Sequence, residues 1–400
     1  MSAYSEYTVL VTDGEQRASL ALVRSLGRAG HRVVVCSRTG RSLAGASRFA
    51  RADMPVADAL REPDRFVDGV RAAIREHAAR VLVPVTEASL LALLPMRGEM
   101  PDVCIPFADA ESVRGVSDKA RLMEIAAPLG IATPAQHVIA SPAAWPAVDL
   151  RTLRYPVVLK PSRSVGEHGG QRIKLIVQHA AGPEHLERAS RELPPVAYPL
   201  LVQQRVVGPG VGIFLLLWDG EMLASFAHRR IRETPPAGGV SVYRESIPAD
   251  PALVARSRAL LERFGWRGVA MIEYKLDAAT GTPYLMEING RFWGSLQLAV
   301  DAGVDFPALL VSAAMGERPR PVHSYRAGVR SRWEWGEVNH LLARLRRSAA
   351  QLDLPPDAPS RGRAVRDFLT VWKPGDRTEI LRLRDPMPFV RETIDWFHRR

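Results

Sequence analysis

Residues 269–298 constrain the fold more than any other stretch, because they have the pattern of two strands joined by a turn. Residues 269–276 and 284–289 are rich in β-branched, aromatic and long apolar side chains. The intervening sequence DAATGTP contains Asp, Gly and Pro, which are typical of turns. The stretch therefore predicts an antiparallel hairpin.

The predicted hairpin brings two acidic side chains face to face. Its register follows if Leu276 pairs with Tyr284. Glu273 then lies opposite Glu287, and the alternation of side chains puts Asn289 on the same face. Like charges directly opposite each other repel, so the acids either both face water or share a cation. Mg²⁺ carrying nucleotide phosphates is the simplest such cation, because it prefers oxygen ligands.

Length and composition indicate a globular protein of two or three domains, since 400 residues exceed what one core usually covers. Apolar residues at 46% and charged residues at 24% are ordinary for this class. The sequence has no run of eighteen apolar residues and no signal-peptide pattern at its N-terminus, so we expect a cytoplasmic protein without a transmembrane segment. Cys36 and Cys104 form neither a disulfide framework nor a zinc motif, and we expect both in the core.

Positive charge is concentrated towards the C-terminus. Residues 317–400 contain 18 basic and 11 acidic residues, and the whole chain has a formal net charge of +11. Only five of the basic residues are lysines, at positions 119, 160, 174, 275 and 373. In a chain that uses Arg almost everywhere, a Lys suggests a position where a compact ammonium group is preferred.

The first 115 residues alternate between strand and helix patterns, with strands predicted at residues 7–12, 32–36 and 80–85 and helices near 17–29 and 65–77. This alternation predicts an open parallel sheet. Thr86 and Glu87 follow the last of these strands. The first turn reads TDGEQRAS and lacks the glycines of a dinucleotide-binding motif, so we do not expect a nicotinamide cofactor.

A second domain is predicted to begin near Ser117, which can cap a helix running to about residue 129. Residues 155–161 form an apolar strand pattern containing Lys160, and the small-residue loop SRSVGEHGG follows. Such a loop beside a lysine can wrap phosphate groups with its backbone N–H groups. The alternative is a simple hairpin connection next to a solvated lysine. Further strands are predicted at residues 200–207 and 213–218, with a turn at Asp219-Gly220 and a loop at residues 234–239.

Taken together, residues 118–317 resemble the ATP-grasp superfamily, in the group similar to the carbamoyl-phosphate synthase large subunit, biotin carboxylase and D-alanine ligase. The segments that carry the resemblance occur in the family's order: SDK, YPVVLKP with its glycine loop, LVQQRVVG, EYK and MEINGRFWGS. The resemblance implies an α/β N-terminal open parallel sheet, an α+β ATP-grasp domain of two subdomains and a basic C-terminal extension. The expected boundaries are residues 1–115, 116–198, 199–318 and 319–400.

The resemblance also implies that the protein binds ATP and two Mg²⁺ ions, with Mn²⁺ as an alternative ion. The lysines would contact the phosphates of ATP, and the glycine loop would close over these phosphates. The backbone near residue 204 would bind adenine. Many relatives have Glu where this chain has Gln203, and the carboxylate expected near Gly210 for the ribose is absent. The residues assigned to ATP are Lys119, Lys160, Ser164, Gly166, Gly169, Gly170, Gln203, Gln204, Val206 and His228. The expected metal ligands are Glu273, Glu287 and Asn289, and the expected catalytic residues are Lys160, Arg230 and Arg291.

The activity implied is that of an ATP-dependent ligase, which activates a carboxylate as an acyl phosphate and joins it to an amine or another nucleophile. Its partners would be these two small molecules. A bicarbonate-activating carboxylase and a non-catalytic nucleotide-binding module are the alternatives, because a fold does not fix a function.

The C-terminal extension contains a basic amphipathic pattern at residues 337–352 and several aromatic residues, Trp372 among them. We expect these aromatic residues to pack on the main body. Docking to a membrane surface or to a partner protein is the alternative. Nucleic acid is not expected, because no binding motif accompanies the charge.

Overall fold

The structure is a computed structural model and describes residues 6–149, 152–168, 171–236, 238–349, 351–352, 354, 358–370, 373 and 375–398. Gly169, Gly170 and Trp372 therefore lie outside the described residues. The described chain forms three main sheets and a short two-stranded hairpin.

The N-terminal sheet is open and fully parallel, as predicted, with strand order β3-β2-β1-β4. Its central strands are Val-rich and buried on both faces, which is typical of parallel sheets. The third strand was not predicted from the sequence. The strands are β1 (Thr8–Val11), β2 (Arg32–Ser37), β3 (Ala50–Pro55) and β4 (Val81–Val83), and the helices are α1 (Arg17–Arg28), α2 (Pro63–His77), α3 (Glu87–Leu93), α4 (Ala110–Ser117) and α5 (Lys119–Ala126).

The predicted cap of the second domain's first helix is wrong by one residue. Ser117 ends α4, and the side chain of Asp118 caps α5 by accepting a hydrogen bond from the N–H of Arg121. An Asp is as good an N-cap as a Ser, and the sequence SDK offers both.

The second sheet is antiparallel, with strand order β5-β10-β6-β9, and it encloses a hydrophobic core of its own. Because β10 pairs within this sheet, we propose that the division between the two ATP-grasp subdomains lies after Gln204. The strands are β5 (Gln136–Ile139), β6 (Val157–Pro161), β9 (Gln178–Ala180) and β10 (Leu200–Gln204), beside the hairpin β7 (Val165–His168) and β8 (Gln171–Lys174) and the helix α6 (Pro183–Glu192).

The third sheet has seven strands in the order β15-β14-β11-β12-β13-β16-β17. The turn between β11 and β12 lies at Asp219-Gly220 as predicted, and both residues have positive φ. Residues 228–230 lie inside the long strand β12, which ends at Thr234, where the loop was predicted to begin. The strands are β11 (Gly210–Trp218), β12 (Glu221–Thr234), β13 (Val240–Ser246), β14 (Gly268–Leu276), β15 (Pro283–Asn289), β16 (Arg330–Arg332) and β17 (Asp376–Thr378).

The C-terminal extension is built into this sheet, because β16 pairs with β13 and β17 pairs with β16 in parallel. Its helices pack through aromatic side chains, and the rings of Trp335 and Trp396 stack with centroids 4.1 Å apart. The helices that follow β13 are α7 (Pro251–Glu262), α8 (Leu296–Ala302), α9 (Phe306–Ala314), α10 (Glu334–Arg346), α11 (Arg361–Leu369) and α12 (Met387–His398).

Within the described ranges, no single helix has the length and apolar content needed to cross a membrane. Helices α8 and α9 have the required length and apolar content only when they are taken as one segment, and the chain bends by 93° between them.

Candidate functional site

The two facing acids lie on the hairpin formed by β14 and β15. Glu273 pairs directly with Glu287, and Met271 pairs with Asn289, so the predicted alignment of these residues is confirmed. Both carboxylates and the amide line one cleft, whose volume is about 750 Å³. This cleft is the candidate nucleotide site.

The hairpin register changes immediately beyond the acids. A β-bulge follows Glu273, so Leu276 pairs with Pro283, and the predicted pairing of Leu276 with Tyr284 is wrong. The extra residue is Met286, which lines the cleft and places its Sδ atom 3.8 Å from Nζ of Lys160. Bulges commonly re-aim side chains next to functional sites.

Each of the two acids has a cationic neighbour. Glu273 accepts a hydrogen bond from Arg230 at 2.5 Å, and Arg230 also pairs with Glu233 at 2.7 Å. Glu287 lies 3.7 Å from Nζ of Lys119. These neighbours allow two opposed carboxylates to remain in a mostly buried position.

Asn289 connects the acids to Arg291. The Nδ2 group of Asn289 donates to Glu287 at 3.1 Å, and the Oδ1 atom accepts from Nη2 of Arg291 at 2.9 Å. Gly290 lies between them, and a Cβ atom there would come within 2.3 Å of the Trp266 ring. The glycine therefore permits the close packing that sets this turn.

The two acids differ in their pKa values. Burial raises the pKa of Glu273 and the charge of Glu287 raises it further, although Arg230 opposes both effects. Burial also acts to raise the pKa of Glu287, but Lys119 and Lys160 outweigh it and the pKa lies below the ordinary value. Glu287 is thus the acid whose ionised form is better stabilised.

This set of ligands suits Mg²⁺, the ion that the family resemblance implies. The described part of the chain contains no cluster of three or more His, Cys, Asp or Glu side chains that could hold a metal by itself. Glu273, Glu287 and Asn289 instead offer two carboxylates and one amide oxygen. Mg²⁺ is commonly bound by one or two carboxylates together with water and substrate phosphates, so the residues present fit it.

The two lysines expected at the phosphates approach the cleft from different directions. Lys119 begins α5, is 6% exposed and donates to Oγ of Ser164 at 3.1 Å. Lys160 lies on β6 and points towards Met286. The structure thus brings Lys119, Ser164 and Glu287 together, while Lys160 faces the same cleft from the second sheet.

The predicted phosphate loop is described only in part. Gly166 lies in β7 and packs against Val196, where a Cβ atom would approach Cγ2 to 2.6 Å. This contact gives Gly166 a packing role, whereas Ser164 is the loop residue that lines a pocket with Lys119 and Glu287. Gly169 and Gly170 lie outside the described residues.

The expected adenine hinge lies at the end of β10, an inner strand of the second sheet. Gln203 is buried, and its Nε2 group donates to Gln136 at 2.5 Å. The N–H of Gln204 donates to the carbonyl oxygen of Ala135 at 2.8 Å, so it is already used within the fold. Val206 follows the strand and lines the cleft with both glutamines, which makes it the hinge residue whose backbone we propose for adenine recognition.

His228 lines the cleft from β12 and is 1% exposed. Neither ring nitrogen has a hydrogen-bond partner among the described residues, and the ring meets Phe214 edge-on at 4.7 Å. Burial, with Arg230 and Arg244, lowers the pKa of His228 well below its usual range, so the imidazole is neutral. A buried polar group usually has a partner, so these nitrogens are available to a ligand.

Two residues of the site were not assigned to it from the sequence. Glu87, at the start of α3, lines a small pocket with Lys119, Glu287 and Arg291. Arg17, at the start of α1, lines the cleft as well. Both residues follow strands of the N-terminal sheet. Ligands of open parallel sheets bind at the carboxyl ends of the strands. Their position after a strand could therefore have identified these two residues from the sequence.

A second cavity of about 730 Å³ continues from the cleft to the carboxyl edge of the N-terminal sheet. Glu287, Asn289 and Arg291 lie on one side of it, and Glu87 and Arg17 lie on the other. We call it the substrate cavity. The nucleotide cleft and the substrate cavity thus meet at Glu287, Asn289 and Arg291.

Comparison with known proteins agrees with this arrangement. Residues 197–336 match a family model described as ATP-grasp in the biosynthetic pathway with Ter operon. One similar solved structure is L-amino acid ligase from Bacillus licheniformis, with 19% identity, a TM-score of 0.59 and coverage of 78% of this chain and 75% of that chain. These values indicate that the two proteins share a fold.

Two further solved structures are similar. The biotin carboxylase domain of Hydrogenobacter thermophilus 2-oxoglutarate carboxylase, in complex with MgADP, ADP and bicarbonate, has 16% identity, a TM-score of 0.62 and coverage of 82% and 74%. N5-carboxyaminoimidazole synthetase from Staphylococcus aureus, complexed with ADP, has 13% identity, a TM-score of 0.59 and coverage of 82% and 83%. No curated protein sequence matches the chain significantly. Residues 197–336 therefore match an ATP-grasp family model, and the chain as a whole has the fold of these ATP-grasp structures.

Proposed function

We propose that the chain is an ATP-dependent ligase that activates a carboxylate as an acyl phosphate and joins it to an amine or another nucleophile. The observation that carries the proposal is that Glu273, Glu287 and Asn289 line one cleft with Lys160 and Arg230, while Lys119 lies 3.7 Å from Glu287. Phosphoryl transfer depends mainly on positioning and charge neutralisation, which such an array provides. Two of the three similar structures described above contain ADP.

The residues divide between the nucleotide and the substrate. Glu273, Glu287 and Asn289 would hold Mg²⁺, which would neutralise the charge of the nucleotide phosphates. Lys160 and His228 face the nucleotide cleft. Arg291 faces the substrate cavity, where it can hold the carboxylate beside the γ-phosphate.

The proposed reaction has two steps, and in each step the attacked atom forms one bond and loses another. A carboxylate oxygen attacks the γ-phosphorus, the bond from that phosphorus to ADP breaks, and ADP leaves. The amine nitrogen then attacks the acyl carbon, the carbon–oxygen bond to phosphate breaks, and the nitrogen gives up a proton. Glu87 lines the substrate cavity and a small pocket beside Glu287 and Arg291, and it is the acid that we propose accepts this proton.

ADP release tests the proposal. The full chain is incubated with ATP and Mg²⁺ and with short-chain carboxylic acids, amino acids or bicarbonate, each with and without an added amine. We expect one class of carboxylate to stimulate ADP release and ¹⁸O from its carboxyl group to appear in the released phosphate. Stimulation by bicarbonate alone would assign a carboxylase, and no stimulation by any acid would leave only nucleotide binding.

A further inference from the structure

A third cavity, of about 710 Å³, lies between the N-terminal sheet and the C-terminal helices α10 and α12. We call it the tryptophan chamber. It is a separate cavity, but it shares Arg17 with both the nucleotide cleft and the substrate cavity and Arg38 with the substrate cavity. Its C-terminal wall contains Trp333, Trp335 and Trp396, and its N-terminal wall contains Arg17, Arg38 and Arg41.

The tryptophan wall offers ring surface rather than hydrogen-bond donors. Each indole N–H is already bonded within the protein, at 2.7–3.1 Å: Trp333 to Glu392, Trp335 to Thr393 and Trp396 to Asn339. Trp335 and Trp396 also stack on each other, which fixes their orientation. Such a wall suits a planar apolar group, because aromatic rings pack well face to face or edge to face.

The arginine wall offers positive charge. Arg17 is held in place, since Nη1 donates to Glu379 at 2.7 Å and the guanidinium carbon lies 4.0 Å from the centre of the Trp333 ring. Arg17 begins α1, which has no side-chain cap and no acid in its first turn. The first N–H groups of that helix add to the attraction for an anion.

Three acids also line the chamber, but each is already engaged. Glu15 lies 3.5 Å from Arg38 and accepts the backbone N–H of that residue. Asp395 pairs with Arg391 at 2.9 Å, and Glu392 accepts the indole N–H of Trp333. The arginines Arg17 and Arg38 are themselves paired, with Glu379 and Glu15, but the N-terminal wall still carries three arginines against the single acid Glu15, and this excess of positive charge favours an anionic ligand.

We propose that the tryptophan chamber is a binding site for an aromatic anion. The charged group, a carboxylate or a phosphate, meets Arg17 and Arg38, and the ring packs against Trp335 and Trp396. The site goes beyond the proposed ligase activity and does not depend on it, since binding requires neither ATP nor turnover.

Calorimetric titration of the full chain without ATP tests the site. The probes are 2-naphthoate and 1-naphthyl phosphate, with naphthylmethylamine, acetate and inorganic phosphate as controls. We expect at least one aromatic anion to bind about tenfold or more tightly than the amine and than both small anions. Binding of only one naphthyl anion would distinguish a carboxylate site from a phosphate site. Failure of both to bind, or equally tight binding of the amine, would overturn the proposal.

Substitutions locate the bound anion. Arg38→Gln alters a side chain that is 59% exposed, so the fold should be retained, and we expect the dissociation constant to rise about tenfold. Trp396→Leu should raise it similarly. Arg258→Gln is the matched control, because Arg258 is also an exposed arginine paired with a glutamate but lies on α7. Unchanged affinity in Arg38→Gln would contradict the proposed site, whatever the behaviour of the Trp396 variant.

Discussion

The ammonium group of Lys160 contacts the thioether of Met286 at 3.8 Å and has no ion pair with a carboxylate in the described part of the chain. Burial lowers the pKa of Lys160 to about 8, with Glu287 raising it and Lys119 lowering it further. The lysine is therefore charged at neutral pH and loses its charge as the pH rises through about 8. A charged and weakly paired ammonium is suited to receiving phosphate oxygens.

Lys160→Arg should reveal this role through the pH dependence of the KM for ATP. In the parent, KM should rise above pH 8, since the free enzyme loses a cation there. In the variant, KM should be higher at neutral pH by on the order of tenfold, because a planar guanidinium replaces a compact ammonium, and it should change less above pH 8. Lys373→Arg is the control, because Lys373 is an exposed lysine of the C-terminal extension. A Lys160 variant with the parental profile would remove this residue from the site.

The hairpin of β14 and β15 shows how far sequence patterns specify an element. The predicted register placed Glu273 opposite Glu287 because two differences of one residue cancel: the assumed pairing of Leu276 with Tyr284 is displaced by one position, and the bulge after Glu273 restores the count. The bulge itself was missed, since an extra residue in one strand leaves no compositional mark between Tyr284 and Glu287. As a result, the position of Met286 beside Lys160 was not predicted.

The C-terminal segment that follows β17 is anchored by a buried ion pair. Nε of Arg24, on α1, donates to Asp385 at 2.8 Å, and both side chains are less than 5% exposed. Asp385 also accepts the hydroxyl of Ser47 and the N–H of Arg48. These contacts tie the extension to the N-terminal sheet.

Asp385→Asn should therefore destabilise the protein strongly. It leaves the Arg24 charge buried without a counter-charge, and the loss in free energy of unfolding should be about 3–5 kcal/mol. Asp395→Asn is the matched control on the same extension, because its pair with Arg391 is about one-third exposed and should contribute less than about 1 kcal/mol. Urea unfolding followed by tryptophan fluorescence measures both. Equal losses in the two variants would show that the extension is not anchored there.

At the scale of the whole molecule, the site is assembled from parts far apart in sequence. The parallel N-terminal sheet and the ATP-grasp order of segments could be predicted, because they depend on local periodicity and on resemblance. The contributions of Arg17 and Glu87 to the site could not be predicted, because they depend on how the N-terminal sheet packs against the hairpin of β14 and β15. Likewise, the pairing of β16 with β17 joins strands more than 40 residues apart without a local signal.

Glu379 shows how this assembly holds the site in place. Its buried carboxylate pairs with Arg17 of α1 at 2.7 Å and with the fully buried Arg244 of β13. The pKa of Glu379 is lowered: burial opposes ionisation, but Arg17 and Arg244 outweigh it. One acid of the C-terminal extension thus connects the N-terminal sheet to the sheet that bears the metal-site acids.

The most direct test of the proposed Mg²⁺–ATP site is the affinity for a nonhydrolysable ATP analogue, titrated with and without Mg²⁺. We expect Mg²⁺ to strengthen binding to the parent by about tenfold or more, and Glu287→Gln to lose most of this increase while keeping the parental melting temperature. Glu262→Gln, an exposed acid paired with Arg258 on α7, should behave as the parent. Analogue binding that is independent of Mg²⁺ in the parent, or an undiminished Mg²⁺ effect in Glu287→Gln, would contradict the assignment of the two facing acids to the metal.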